Sequence, residues 1–443
     1  MSPSSHTLDQ LDVGFDDDHL VAYAGLLLPA TLAAHLGLKD LIDRHVDLGD
    51  APGRANPGHK AMTLIHSALA GGDCIDDAAG LAAGGTRDVL GHELRAPSTL
   101  GTFLRSFTFG HARQLDQVSR ELLHRAWAAG AGPGGAPLVI DIDSTICETY
   151  GLQKQGGSRF TYTHVRGFHP LVAVAGASGE VLHSRLRGGP SHTGRGAASF
   201  LTETFARVRE AGATGPITVR ADSGFYTHHV TGACERAGAT YSITVKMHPN
   251  LHKLIASIPE SDWVKIPYFM EGAAVAETTF APFAAKVRPP REVRLIVRRT
   301  PPTPGSQLAL FCEFAYHAFI TDREGETLDL ESDHRRHAEV ENAIRDLKYG
   351  VGLNHLPSGR FGANAAWLSF NVMAHNLLRW VGRIGLGETT FLTTKTARRR
   401  FLSVPGRLTR SGRQATVHLP KRWPWVVQFL DALALLRAVR LVT

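Results

Sequence analysis

The sequence predicts an α/β protein: a mixed sheet with flanking helices, interrupted by a β-rich insertion, between a helical N-terminal region and a basic C-terminal region. Three observations predict it. Ala/Leu-rich stretches fill residues 20–128, and a Gly/Pro joint (AGPGGAP, Ala131–Pro137) ends them. Short apolar runs then alternate with amphipathic ones. At 443 residues the chain exceeds the usual size of one domain. The expected units are a helical region over 1–130, the first part of the central domain over 131–246, a β-rich insertion over 247–330, the rest of the central domain over 331–385, and a basic region over 386–443.

Charge sorts the function classes. The formal net charge is +7, yet residues 1–130 hold 10 Lys+Arg against 16 Asp+Glu, so the basic excess lies wholly in residues 131–443. Within 391–443 there are eleven Lys/Arg and one acid, Asp431. Such a surface suits a polyanion, most often nucleic acid. The four cysteines (Cys74, Cys147, Cys234, Cys312) form no CxxC pair, which fits a reducing cytoplasm. The acidic start lacks the pattern of a secretory signal, and no apolar run of 18 residues is present, so no membrane association is expected. There is no GxxxxGK[ST], no GxGxxG between a strand and a helix, and no zinc spacing among the histidines.

In the central domain, Leu138–Asp143, Pro170–Ala175 and Val181–Leu186 read as three strands joined by short connections. A helix follows, with Ala197, Phe200, Leu201, Phe205 and Val208 on one face. Next come a strand at Ile217–Arg220, a helix over Thr227–Ala237 and a strand at Thr240–Val245. Three strands, then helix, strand, helix, strand, is the order of a ribonuclease H-like sheet. The insertion carries strand-like runs at Trp263–Pro267, Val275–Phe280, Val293–Arg299 and Phe314–Ile320. One helix is expected from about Glu331 to Tyr349, another over 361–384, and an amphipathic helix within Trp425–Val442.

Three positions could bear chemistry. The strand LVIDIDST places Asp141 and Asp143 on one face, and a charge on a buried strand is costly unless a metal or partner compensates it. A strand-end acid capping the turn at Ser144-Thr145 would explain one such residue less expensively than two. Asp222 directly follows the fourth strand (ITVRADSGF), at the carboxyl end where sheets of this kind gather ligands, although Asp-Ser-Gly is also an ordinary turn. On the helix ESDHRRHAEVENAIRDLKYG, Val340, Ala343, Ile344 and Leu347 make the apolar stripe. His334, His337, Glu341 and Lys348 fall within roughly 60° on one flank, with Glu339 and Asp346 on the other. Glu341 beside Lys348 is the chemically richer flank. Asp, Asp and Glu converging on one place would hold two Mg²⁺ or Mn²⁺ ions, the hard cations that oxygen ligands suit, for in-line phosphodiester displacement.

These stretches resemble the DDE-type bacterial insertion-sequence transposases, specifically insertion-sequence family 1380, related to insertion-sequence family 4. The matching segments are DCIDDAAGL, APSTLGTFLRSF, DIDSTICETYGLQKQGG, RGFHPLVAV, RADSGFY and AEVENAIRDLKYGVGLNHLPS. The resemblance implies a catalytic Asp143 in the Asp-Ser-Thr triplet, Asp222 as the second acid and Glu341 as the third, all three metal ligands. It implies an endonuclease and DNA strand transferase that acts as a homodimer or higher oligomer on double-stranded DNA, both its terminal inverted repeats and a target. The wider group spaces Tyr, Arg, Glu and Lys around its last acid; here the frame reads His334, His337, Glu341 and Lys348, so Tyr and Arg are both replaced. Lys348 would contact a phosphate oxygen near the scissile bond. The role of Asp141 stays open.

Further DNA contacts are expected from Lys154 in the loop after the first strand and from Trp263 in the insertion, the region that the resemblance implicates in holding transposon ends. The basic region offers Arg398, Arg399, Arg400, Arg407, Arg410, Arg413, Lys421 and Arg422 for the phosphate backbone. The helical N-terminal region would recognise the ends or dimerise. Three rivals remain: a nuclease that never joins strands, a DNA-binding descendant that has lost catalysis, and a metal-dependent phosphatase, which the basic tail does not favour.

Overall fold

The structure, a computed structural model, describes residues 11–151, 154–161, 163–302, 313–387 and 392–440. Its centre is a nine-stranded mixed sheet. The strands are β1 (Leu138–Ser144), β2 (Leu171–Ala175), β3 (Val181–Arg185), β4 (Ile217–Ala221), β5 (Thr240–Thr244), β6 (Val264–Lys265), β7 (Ala274–Phe280), β8 (Val293–Thr300) and β9 (Ala315–Thr321). The spatial order is β6-β7-β8-β9-β5-β4-β1-β2-β3. β1 runs parallel to β4 and antiparallel to β2, and β4 runs parallel to β5. Parallel neighbours need crossover connections, which the helices Ala197–Glu210 and His228–Arg236 supply.

The strands of residues 247–330 extend this sheet. β9 pairs antiparallel with β5 (Ile320 opposite Ile243), so β6–β9 lengthen one edge. Beneath them a small second core of Ile266, Val275, Ile296 and Phe319 is closed by Leu330 of helix α1 (Thr327–Arg335).

The single helix expected over 331–349 is two. α1 stops at Arg335, Arg336–Ala338 make one 3₁₀ turn, and α2 (Glu339–Gly350) follows. The cause is polar. The Asp333 carbonyl, in the last turn of α1, accepts from Arg220 Nη1 at 2.7 Å, and the Asp333 carboxylate is held by Arg220 and Arg323. The flank predicted from one continuous helix therefore dissolves. His334 and Glu341 lie on different helices.

α3 (Phe361–Trp380) runs through the main core, burying Trp367, Phe370, Met373, Leu377 and Trp380. One contiguous core joins the N-terminal helices, the sheet and the C-terminal helix α4 (Val426–Ala438). Among the described residues no single helix is long and apolar enough to cross a membrane.

The two ends of the chain interlock. The short strand Leu20–Val21 pairs with Gly406–Ser411, which hairpins to Gln414–His418. At Gly25 the backbone meets the backbone of Phe401: an added Cβ would stand 1.6 Å from the Phe401 carbonyl oxygen. Gly25→Ala should therefore lose stability at or above the upper end of the roughly 1–3 kcal/mol that overpacking costs. Denaturant unfolding would show this as a lower midpoint with an unchanged slope.

Candidate active site

β1 delivers Asp143 to the end of the sheet where α2 crosses. Asp143 Oδ1 accepts from the Ser144 backbone N–H at 2.6 Å. Asp143, Ser144 and Thr145 line one wall of an open cleft, and Glu341, Arg345, Lys348 and Tyr349 line the other. Asp222, exposed just beyond β4, caps a 3₁₀ turn by accepting from Gly224 N–H at 2.9 Å. Asp143 feels the other two acids. Burial pushes the Asp143 carboxyl up to about 6; the Ser144 N–H and the His337 ring oppose the shift, while Asp222 and Glu341 add to it.

None of the salt bridges among the described residues involves Asp143, Asp222 or Glu341. A set of carboxylates at an open cleft, none of them in a salt bridge, fits divalent cations such as Mg²⁺ or Mn²⁺. It is not closed round a single ion. Among the described residues, only Asp73, Cys74 and Asp77 bring three such donor atoms within 4.8 Å of one another.

Lys348 lies in the cleft, and its Nζ donates to the Ile146 carbonyl at 2.9 Å, bracing the chain that leaves β1. Asp346 points the other way, into the core, where it accepts from Arg379 (2.8 Å), from Thr394 N–H (2.8 Å) and from Thr394 Oγ1 (2.7 Å). Glu339 is exposed and pairs with Arg336. Of the two flanks of α2, the one bearing Glu341 and Lys348 faces the cleft.

Asp141 is fully buried and already partnered. Arg220 lies opposite it in register, and the two form a bidentate pair (Nε–Oδ1 2.8 Å, Nη2–Oδ2 2.7 Å). His337 Nδ1 donates to Asp141 Oδ1 at 2.8 Å. Gly176 makes room for them, since a Cβ there would stand 2.9 Å from both Arg220 Nη2 and Asp141 Oδ2. Asp141 thus answers to a guanidinium and an imidazole. His334 is buried as well, stacked on Phe319 and bonded to Ser242 Oγ (2.7 Å) and Thr244 Oγ1 (3.0 Å) of β5. Burial holds its ring well below the usual histidine range. The two residues at the Tyr and Arg places of the frame are both committed inside the fold.

Several residues expected to contact DNA have partners within the protein. The Arg398 guanidinium donates to the carbonyls of Leu69 (2.8 Å), Ala68 (3.1 Å) and Gly350 (2.6 Å) at two helix ends. Lys154 donates to the Leu356 carbonyl at 2.7 Å and lies near that of Ser358 (3.3 Å), tying its loop to the segment after α2. Neighbouring Leu152 and Gln153 fall outside the described residues. Trp263 packs against the core with the Arg299 guanidinium 4.3 Å above its ring. Arg400 is half-buried near Trp425. Arg399, Arg407, Arg410, Arg413, Lys421 and Arg422 are exposed; Arg407 and Arg410 face Asp17 and Asp88.

Two residues beside the acids carry no role in the sequence reading. His169, buried just before β2, donates through Nδ1 to the Ser191 carbonyl (2.9 Å), so its Nε2 accepts from Ser144 Oγ (2.9 Å) next to Asp143. Burial lowers its pKa, which favours this neutral form. Arg187 donates to the carbonyls of His169, Thr193 and Arg195, holding that loop against the Gly224 turn that presents Asp222.

The pH dependence of the metal-free protein follows from Asp143. Its folded-state pKa, about 6, lies above the ordinary 3.8. Between those values the folded state keeps a proton that the unfolded chain has released. Its contribution to stability is therefore lost as pH rises through that window, and the penalty is complete above it. Carboxyl NMR should show one acid titrating near pH 6. Asp143→Asn should abolish that titration and flatten the corresponding fall in stability.

Comparison with known proteins gives three findings. The family described as Transposase DDE domain group 1 matches residues 4–441. No curated protein matches the chain. Among solved structures, a cryo-EM structure of the piggyBac transposase synaptic complex with hairpin DNA is similar at a TM-score of 0.46 and 10% identity, covering 86% of this chain and 79% of that one.

Proposed function

Because this chain belongs to the transposase DDE domain family, we propose that it cuts and joins DNA at the terminal inverted repeats of an insertion sequence, of the kind grouped in insertion-sequence family 1380. The observation that carries this reading is the meeting of Asp143, Glu341 and Lys348 in one cleft, with Asp222 electrostatically coupled to Asp143. The strand order β3-β2-β1-β4-β5, with β2 antiparallel, supports assigning the central sheet to the ribonuclease H-like class.

Asp143, Asp222 and Glu341 are the residues that would hold two Mg²⁺ or Mn²⁺ ions. Such ions, when bound, activate a water or a 3′-hydroxyl and stabilise the leaving oxygen of the phosphodiester. The chain's own residues do the rest. Asp143 and Asp222 enter from strand ends and Glu341 from α2, so the reacting phosphate is approached from two sides of the cleft. Lys348, about two turns of helix beyond Glu341, offers its ammonium to a non-bridging oxygen as it turns from the Ile146 carbonyl. The exposed arginines of the C-terminal hairpin, with Lys421 and Arg422, supply backbone contacts whose strength falls with salt. The protein would work in the cytoplasm as a homodimer or higher oligomer on the paired ends. The histidines at 334 and 337, which replace the Tyr and Arg of the wider group, both have structural partners here.

The test is cleavage of labelled DNA bearing the element's terminal repeat, in Mg²⁺, by wild type and by Glu341→Gln. Removing one ligand should lower the rate on the order of a thousandfold, since a bound Lewis acid contributes several kcal/mol to the transition state. Salt-sensitive binding without cutting in either protein would overturn the catalytic reading.

A further inference from the structure

The three acids share a second level. Two residues before Asp143 on β1 is Asp141, two residues before Asp222 at the end of β4 is Arg220, and four residues before Glu341 is His337. These three are bonded to one another: Arg220 grips both oxygens of Asp141, and His337 donates to Asp141 Oδ1. Arg220 also holds the Asp333 carbonyl where α1 ends. The turn that follows carries His337, and α2 starts two residues later with Glu339. Each acid thus has, on its own strand or on the turn just before its helix, one member of a single polar joint. Arg220 and Asp141 are each no more than 2% exposed, so this joint is a dry, directional contact rather than a solvated cluster.

We propose that Arg220, Asp141 and His337 are positioning residues that set the spacing of Asp143, Asp222 and Glu341 for divalent cations. The proposal rests on the metal-carboxylate reading above. The period-2 backbone of β1 makes Asp141 and Asp143 move together, and the parallel register does the same for Arg220 and the start of the Asp222 turn. His337 is the only one of the three whose bond crosses from sheet to helix at the α2 end. Loss of its contact releases Glu341 relative to the two aspartates while leaving β1 and β4 joined.

The experiment is Mn²⁺ binding by the full chain, read from the electron paramagnetic resonance signal of free Mn²⁺, with Asp143→Asn marking the ions that belong to this site. Asp141→Asn and His337→Gln should each weaken that binding by roughly ten- to a hundredfold, the usual effect of losing a partner behind a metal ligand. Asp116→Asn removes an ion pair to the buried Arg207, between the helices Phe109–Ala126 and Ala197–Glu210, and should leave Mn²⁺ affinity unchanged. If Asp141→Asn fails to fold, His337→Gln decides, because its side chain sits at the margin of the joint. Wild-type Mn²⁺ affinity in a folded His337→Gln would overturn the proposal. If wild type binds no more Mn²⁺ than Asp143→Asn, the metal reading itself falls and takes the proposal with it.

Discussion

The Arg220–Asp141 pair is the constraint on which the rest of the central domain depends. Two opposite charges lie side by side on neighbouring strands with almost no access to water. Taking either ion out of solvent is expensive, and removing one partner of such a pair generally costs about 3–5 kcal/mol because the other is stranded. The pair therefore fixes more than itself. It requires a glycine at 176, it recruits the Asp333 carbonyl and so ends α1, and it attracts His337 across the gap. The break between α1 and α2, the approach of His337 and the pairing of residues 141 and 220 in register all meet at one guanidinium and one carboxylate.

Much of this architecture was legible in the sequence. The seven central elements stand within a residue or two of where periodicity put them, because each is apolar enough to declare which face it buries. The same period-2 argument put Asp141 and Asp143 on one face. It could not say which of them the protein itself partners, since the answer sits 79 residues away in Arg220. A signal was present: an arginine inside the apolar strand ITVRA is as costly as an aspartate inside LVIDI, and two opposite misplaced charges on successive parallel strands suit each other. The helix over 331–349 was misread for a related reason. Its sequence has no proline or glycine to announce a break, and the interaction that ends α1 comes from another strand. His169 and Arg187 were invisible because their partners are mostly backbone carbonyls, which no side-chain pattern reports.

The basic C-terminal region shows what composition leaves out. Its charges look equivalent in a list, yet they divide by geometry. Arg398 serves as a cap for carbonyls left over at the ends of two helices, including that of α2, and burial lowers its pKa. The arginines on the hairpin and the pair at Lys421-Arg422 project outward. A guanidinium suits both tasks because its planar set of donors matches converging carbonyls as well as phosphate oxygens.

The meeting of Leu20–Val21 with the hairpin at 406–418 has a consequence for how the protein is made. A strand near the beginning of the chain finds its hydrogen-bond partner nearly four hundred residues later. At ordinary elongation rates of about 5–20 residues per second, the first strand waits roughly 20–80 s on the ribosome before that partner exists. Arg398 and Phe401 likewise reach the N-terminal helices only then. The acidic N-terminal region is thus completed only after the segment from Arg398 is made, and a chain ending before Arg398 leaves those helices without these partners.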